Sequence, residues 1–164
     1  MFSKLHNRME SEEGFTLIEL LVVILIIGIL AAIAIPSFLN QRTKGQDACA
    51  KSMAKQMQTA MKTAQIDNGS YAGTTIASLT NIENSIQAGQ CGTGSAVTVG
   101  NAIATNACDG STPPGTNTFC VSAASASGNV FSIGEAAGGA ITRSCTVPAG
   151  TTLPYGGCLA GNTW

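Results

Sequence analysis

The chain has 164 residues, of which 10% are charged, and its formal net charge is −1. After residue 14, six basic and six acidic side chains remain, so the overall charge gives no case for a nucleic-acid-binding protein. The length beyond an apolar N-terminal run is enough for one small domain and not for two.

Residues 14–36 are the most informative stretch, reading GFTLIE, then a long apolar run, then Pro36. The 21 residues from 15 to 35 contain only two polar side chains, Thr16 and Glu19. A helix of this length spans about 30 Å, the thickness of the hydrocarbon core of a bilayer. The stretch is therefore predicted to be a membrane-inserted helix.

Glu19 does not suit a simple anchor, because a lone carboxylate near lipid costs roughly 3 kcal/mol or more unless it is paired. The nearest basic residues, Arg8 and Arg42, are at least 11 positions away. A cut just before Phe15 would create one candidate cation, a new α-amino group on the same helix face as Glu19. Pairing between neighbouring chains would set an axial stagger and favour assembly.

Residues 14–19 and the apolar run after them resemble the class III signal of type IV pilins and pseudopilins. The resemblance implies that a prepilin peptidase cuts after Gly14 and N-methylates Phe15. It implies that Glu19 neutralises the amine of an adjacent subunit and so sets the filament register. It also implies that Gly28 and Pro36 weaken the helix, so that this part can unwind in the packed filament.

Three parts are therefore expected: a cleaved leader over 1–14, a hydrophobic transmembrane and filament-core helix over 15–36, and an amphipathic helix with a disulfide-bonded head over 37–164. An ordinary signal peptide has an apolar core of only about 7–15 residues. The run here is longer and contains Glu19, so that interpretation is disfavoured, as is a permanent single-span anchor. Pro36 is expected to break or kink the helix.

Residues 37–66 have the period of an amphipathic helix, which is predicted to end at an Asn68-Gly69 cap. Its two opposite faces are a lysine ridge and a face of small and Met side chains: Lys44, Lys51, Lys55 and Lys62 on one side, and Cys49, Met53, Met57, Ala60 and Ala64 on the other. The Met/Ala face is predicted to pack on a sheet. The ridge is interpreted as a solvated face, or alternatively as a contact for neighbouring subunits or a polyanion such as DNA.

The remaining sequence predicts a short helix over 76–86, capped by Thr75, and short strands. The strands are expected at 96–99, 118–124, 129–133 and 140–145, with Phe119, Val121 and Ala123 facing inward. Trp164 is expected to be packed rather than exposed. The predicted fold class is α+β, with the long N-terminal helix on a small three- or four-stranded antiparallel sheet.

Six cysteines follow the apolar run, and none forms a C-x-x-C motif: Cys49, Cys91, Cys108, Cys120, Cys145 and Cys158. The even number favours disulfides on the trans side of a membrane over a zinc or redox site. Fifteen connectivities are possible. The preferred one joins Cys91 to Cys108, Cys120 to Cys145, and Cys49 to Cys158.

Catalytic chemistry is not expected. The single histidine, His6, lies in the leader, and the carboxylates after Glu19 are scattered singly. Asp109 could contribute to a Ca²⁺ site, but one carboxylate is a poor basis for one. No catalytic residue, metal or cofactor is therefore predicted.

The expected function is that of a structural subunit of an extracellular type IV pilus, made as a membrane precursor. Its partners would be further copies of itself, the prepilin peptidase, the membrane, and the assembly platform with its motor. Such filaments support adhesion, motility or DNA uptake. The alternatives are a major pseudopilin of a type II secretion system and a membrane-anchored adhesin or binding domain that does not polymerise.

Overall fold

The computed structural model describes residues 14–92, 96–100, 108 and 114–164. Residues 1–13 of the expected leader, Asp109 and much of the predicted 89–115 connection lie outside this description. Within the described residues the order of elements is α1 (Leu17–Asn68), α2 (Ile76–Ile82), β1 (Val97–Gly100), β2 (Phe119–Ala124), β3 (Val130–Glu135) and β4 (Ile141–Thr146). The predicted α+β class is confirmed, with one long helix and a four-stranded antiparallel sheet.

The chain divides into two compact units, Met1–Leu39 and Asn40–Trp164. In the first unit, every large apolar side chain from residue 15 to residue 39 is exposed. By length and composition this part of α1 could cross a membrane. A helix that is apolar on all sides requires an apolar environment, either lipid or other protein.

Pro36 lies inside α1, and the predicted break there is wrong. Proline removes one N–H from the ladder, here the donor to the carbonyl of Ala32, but the turns on either side keep their bonds. The unwinding of residues 28–36 in a packed filament concerns another state and stays a prediction. At its far end α1 continues two residues beyond the predicted 66 and stops at Gly69, which adopts φ +71° and donates to the carbonyl of Gln65.

The second unit, which we call the head, is built on the sheet. The strands lie in the order β1-β2-β3-β4, and each pairs antiparallel with its neighbour. They agree with the four predicted strands to within two residues. The core-facing side of the sheet carries Phe119, Val121, Phe131 and Ile133, none of which is exposed. The inward face predicted for β2 is therefore confirmed.

Residues 40–68 of α1 cover this face of the sheet. Met57 and Met61 are fully buried, and Met53, Ala60 and Ala64 nearly so. Small and unbranched side chains allow close approach to the sheet and fill irregular gaps between the strands. The Met/Ala seat expected from the helical period is confirmed.

α2 is shorter than predicted, ending at Ile82 rather than at 86. Its start is as expected, because Thr75 and Ser78 form a capping box. Glu83 takes up an extended conformation at the C-cap, which ends the helix. Ile86 is nevertheless fully buried, so its apolar side chain reaches the core from the following turn.

All six cysteines are paired, but the predicted connectivity is wrong in every pair. The disulfides are Cys49–Cys91, Cys108–Cys120 and Cys145–Cys158. On β3, Gly134 lies opposite Cys120 and Phe131 lies opposite Cys145, and these two β3 residues are three positions apart. Because side chains alternate along a strand, Cys120 and Cys145 point to opposite faces of the sheet and cannot meet.

The disulfides close loops of different length, with sequence separations of 42 for Cys49–Cys91 and 12 for Cys108–Cys120. Chain entropy predicts that the longer loop gives the greater stabilisation, by about 1 kcal/mol. We expect Cys49→Ser/Cys91→Ser to lower the free energy of unfolding more than Cys108→Ser/Cys120→Ser. Denaturant titration of the two double variants measures the difference, and the reverse order would contradict the entropic account.

Candidate functional site

The N-terminal end of α1 is closed by its own side chains. Thr16 precedes the helix, and its Oγ1 accepts a hydrogen bond from the Glu19 N–H at 3.3 Å. The Glu19 carboxylate in turn accepts from the Thr16 N–H at 3.1 Å and from its hydroxyl at 2.9 Å. This is a capping box, in which two backbone donors at the helix start are satisfied reciprocally. Sequence reasoning missed Thr16, although the T-x-x-E spacing at 16–19 was a usable signal.

Gly14 and Phe15 lie just before the helix, with the Phe15 side chain exposed. Among the described residues no basic side chain pairs with Glu19, since the ion pair found there joins Lys62 to Glu135. The polar groups of Thr16 therefore hold the Glu19 carboxylate in place without cancelling its charge. That charge, at the head of an exposed apolar helix, remains available to a cation from another molecule.

In the head, a carboxylate of α1 organises the C-terminal segment. Asp47 is fully buried, and its Oδ2 accepts hydrogen bonds from the Asn129 side-chain amide at 2.8 Å and the Gly157 N–H at 2.7 Å. Its Oδ1 accepts from the Ser127 hydroxyl at 2.5 Å. These three donors replace the water that the buried carboxylate has lost.

Lys51, one helical turn further along α1, completes this arrangement. Its ammonium donates to the Gly157 carbonyl at 2.6 Å, so Asp47 and Lys51 hold the N–H and the C=O of the same residue. We call this the Gly157 clamp. Burial lowers the pKa of Lys51, with nearby Lys55 adding to the effect and Asp47 opposing it.

Gly156 is required beside the clamp. It has φ +58°, and a Cβ there would lie 2.1 Å from the Asp47 Oδ2. Only a residue without a side chain allows the loop to approach the buried carboxylate this closely. The clamp thus joins α1, the turn before β3 and the loop closed by the Cys145–Cys158 disulfide.

A second polar cluster closes the other end of the head. Glu135 continues the inward-facing series of Phe131 and Ile133 but carries a charge, and only 7% of its side chain is exposed. The Lys62 ammonium lies 2.6 Å from the Glu135 Oε1 and 2.5 Å from the Glu135 Oε2. The Tyr71 hydroxyl donates a hydrogen bond to the Glu135 Oε1 at 3.2 Å. The hydrogen bond to Glu135 raises the pKa of Lys62, and burial raises the pKa of Tyr71.

These contacts divide the lysine ridge. Lys44 and Lys55 are exposed, as the solvated-face interpretation predicted. For Lys51 and Lys62 that interpretation is wrong, because one holds a backbone carbonyl and the other a buried carboxylate. Both lie where the ridge borders the buried face of α1, and their long side chains reach partners on the sheet and the C-terminal loop.

No metal-ligand cluster of three or more His, Cys, Asp or Glu side chains occurs in the described part of the chain. The N-terminal segment and the two polar clusters of the head hold charges in place but bring no nucleophile, base and orienting group together.

The comparisons with known proteins concern the N-terminal part of the chain. The family model described as the prokaryotic N-terminal methylation motif matches residues 9–35. The type IV major fimbrial protein FimA of Dichelobacter nodosus is 50% identical over 62 residues, which are 38% of this chain and 39% of that protein. The type IV major pilin protein PilA of Myxococcus xanthus is 46% identical over 59 residues, 36% of this chain and 27% of that protein.

The chain thus matches well under half of the length of these relatives. No solved structure matches it significantly. The resemblance to type IV pilins is confirmed for the N-terminal part, which is homologous to that of structural pilus subunits. The matched stretches are only 62 and 59 residues long, so most of the head, including Glu135 and the loop that contains Gly157, lies outside these comparisons.

The close approach at Gly156 can be tested with a matched pair of substitutions. Gly156 and Gly161 both have positive φ, but nothing lies within 4 Å of a Cβ at Gly161. Gly161→Ala should therefore cost only backbone strain, about 1 kcal/mol. Gly156→Ala adds a collision with Asp47, and we expect a further loss of about 1–3 kcal/mol in the free energy of unfolding. Equal losses in denaturant titrations would argue against the clamp.

The Lys62–Glu135 pair predicts both a mutational and a pH effect. Lys62→Met leaves a buried carboxylate without its cation and should lower the free energy of unfolding by about 1–3 kcal/mol. Because the Lys62 side chain is 43% exposed, we expect the lower part of this range. Adding Glu135→Gln should restore part of this loss, whereas Lys44→Met, at an exposed position, should change little.

The pH dependence has a defined sign. The folded-state pKa values of Lys62 and Tyr71 are both raised, so their stabilisation is complete below about pH 10 and decreases as the pH rises through the folded-state values. Lys62→Met should retain only the Tyr71 part of this decrease. Denaturant midpoints measured from pH 7 to 11 test this, and a wild-type protein that gains stability above pH 10 would contradict it.

Proposed function

We propose that this chain is the structural subunit of a type IV pilus, made as a membrane precursor and polymerised through its N-terminal helix. The observation that carries the proposal is the capped, unneutralised Glu19 at the start of an exposed apolar helix. A soluble domain would gain nothing from such a helix. A subunit that moves from lipid into a protein filament needs an apolar surface on every side.

The first step of the proposed mechanism is processing. The prepilin peptidase would cut after Gly14 and methylate the new amine of Phe15. Gly14 and Phe15 both precede α1, so the bond between them would be accessible to the active site of the peptidase. The cut would turn the peptide nitrogen of Phe15, four positions before Glu19, into a cation.

The second step is registration between subunits. The amine of Phe15 on an incoming subunit would pair with Glu19 of a subunit already in place. In an apolar environment, two unpaired charges cost several kcal/mol, and pairing removes most of this cost. Axial positions that leave Glu19 unpaired would therefore be disfavoured, which selects one stagger. The capping box holds the carboxylate ready for this contact.

The third step is packing. The apolar side chains of residues 20–35 would form the filament core, where Gly28 and Pro36 would allow local unwinding. The head would form the outer surface, and its disulfides and polar clusters would keep it folded outside the cell. Adhesion, motility and DNA uptake would be activities of the polymer together with its assembly platform and motor.

The test compares Glu19→Ala with Glu83→Ala, which removes one exposed carboxylate from the head. Intact mass should show that wild type and both variants begin at N-methylated Phe15. Electron microscopy of material sheared from cells should show filaments for the wild type and Glu83→Ala, and none of normal form for Glu19→Ala. Normal filaments from Glu19→Ala would refute the registration step.

The same preparations distinguish the alternatives. Long filaments on the cell surface at native expression support a pilus, whereas an absence of surface filaments together with a defect in protein secretion would indicate a pseudopilus. A mature chain that stays in the membrane as a monomer would indicate a non-polymerising anchored domain. A soluble chain cut within residues 32–35 would indicate an ordinary signal peptide.

A further inference from the structure

The surface of the head is more positive than the balanced composition indicates. Of the carboxylates in its described part, Asp47 and Glu135 are buried, whereas Asp67 and Glu83 are exposed. Among the basic residues in the described part of the head, only Lys62 forms an ion pair. Four basic residues of the head are exposed: Arg42, Lys44, Lys55 and Arg143. Burial has therefore removed negative charge from the surface and left positive charge on it.

Three cationic groups converge on one aromatic ring. The ammonium groups of Lys51 and Lys55 lie 5.6 Å and 5.8 Å from the centre of the Trp164 ring, and the Arg143 guanidinium lies 6.0 Å from it. Because all three groups lie within 6.0 Å of the same ring centre, they also lie close to one another. We call these four residues the Trp164 cluster. In the described part of the chain, no carboxylate forms an ion pair with Lys55 or Arg143.

The register of the sheet explains how Arg143 reaches the lysines of α1. Arg143 lies opposite Ile133, on the face of the sheet that α1 covers, but β4 is an edge strand and its side chain stays exposed. The C-terminal segment passes beside this edge, where the Cys145 N–H donates to the Asn162 carbonyl. Trp164 is thereby placed between an edge-strand arginine and the helix lysines.

The Trp164 ring is fixed in place. Its indole N–H donates to the Ser144 carbonyl at 2.9 Å, and its edge packs against Phe131 at 5.7 Å between ring centres. The expectation that Trp164 is a packed residue is confirmed. The negative face of an indole attracts cations and so offsets part of the repulsion among them. Lys51 is further held by the Gly157 carbonyl, which leaves Lys55 and Arg143 as the exposed cations of the group.

We propose that the Trp164 cluster is a binding site for the phosphate backbone of nucleic acid. Lys55 and Arg143 would contact phosphates directly, while Trp164 and Lys51 would position them. The indole N–H is already used by the Ser144 carbonyl, so it is not available to donate to a base edge. The site therefore reads charge and not sequence, and duplex DNA is a suitable ligand.

Charge density favours nucleic acid among the possible partners. Duplex DNA carries about one negative charge per 1.7 Å of its axis, so a compact set of cations can face several phosphates at once. Glu83 lines the groove that also contains Lys55 and accepts from the Ser85 hydroxyl at 2.9 Å, which holds the carboxylate in place without cancelling its charge. Within the described residues it forms no ion pair with Lys55. The site does not require polymerisation. In the proposed filament it would recur on every subunit, and the repetition would strengthen binding through multivalency.

The test measures DNA binding by the mature full-length chain in a neutral detergent, so that it does not depend on filaments. A fluorescent 20-bp duplex is titrated at several salt concentrations and followed by anisotropy. We expect the wild type to bind with a Kd of roughly 1–100 µM at physiological salt. Lys55→Gln/Arg143→Gln should bind at least about tenfold more weakly at low salt. It should also reduce the slope of log K against log salt by about 2.

The matched control is Arg42→Gln/Lys44→Gln, which removes one arginine and one lysine that are also exposed but lie outside the cluster. The proposal predicts that this control retains most of the binding and that two unrelated duplex sequences bind alike. It is overturned if both double variants lose binding equally, or if the cluster variant loses none. Near-UV circular dichroism verifies that each variant keeps its fold.

Two further measurements separate other partners. If a sulfated polysaccharide binds through the cluster and DNA does not, the ligand is an acidic glycan and the nucleic-acid assignment is wrong. If cells making Lys55→Gln/Arg143→Gln lose their filaments while Glu83→Ala cells keep them, the cluster is a contact between subunits and the proposal is again overturned. Retained filaments with weakened DNA binding support it.

Discussion

The buried carboxylate of Asp47 is the interaction on which the architecture of the head depends. A buried charge is tolerated only when hydrogen bonds replace the water that it has lost. Asp47 obtains three of them from Ser127, Asn129 and Gly157, which lie 80, 82 and 110 positions along the chain. The helix, the turn before β3 and the C-terminal loop must therefore all be in place together. Loss of any one donor would leave the charge under-satisfied, at a cost of about 1–3 kcal/mol.

The same requirement shapes the surface chemistry. Satisfying Asp47 brings the C-terminal loop onto α1, and Lys51 then holds the other side of the Gly157 peptide. The segment after the loop places Trp164 beside Lys55 and Arg143. At the other end of the head, Lys62 forms an ion pair with Glu135. The described part of the head thus exposes more basic than acidic side chains, although the sequence after residue 14 has equal numbers of both.

The accuracy of sequence-based prediction followed the range of the interactions. Helical period identified the Met/Ala face of α1, and alternation identified β2 with its inward Phe119 and Val121, because both patterns arise within a few residues. The prediction of the disulfide pairing failed because the register of β2, β3 and β4 decides on which face of the sheet Cys120 and Cys145 lie. No local sequence pattern specifies that register. Lys51 and Lys62 looked like solvated residues because their partners, Gly157 and Glu135, are 106 and 73 positions away.

The N-terminal segment shows the opposite case, because its interactions are local. Thr16 and Glu19 interact within one turn, and the residues after them need only be apolar. Every part of the proposed assembly chemistry is therefore encoded in about 25 consecutive residues, which can remain similar while the rest of the chain changes. The head has only to fold and to present a surface, and many sequences can do so. The proposed Trp164 cluster lies in the head, and its residues come from α1, β4 and the C-terminal segment.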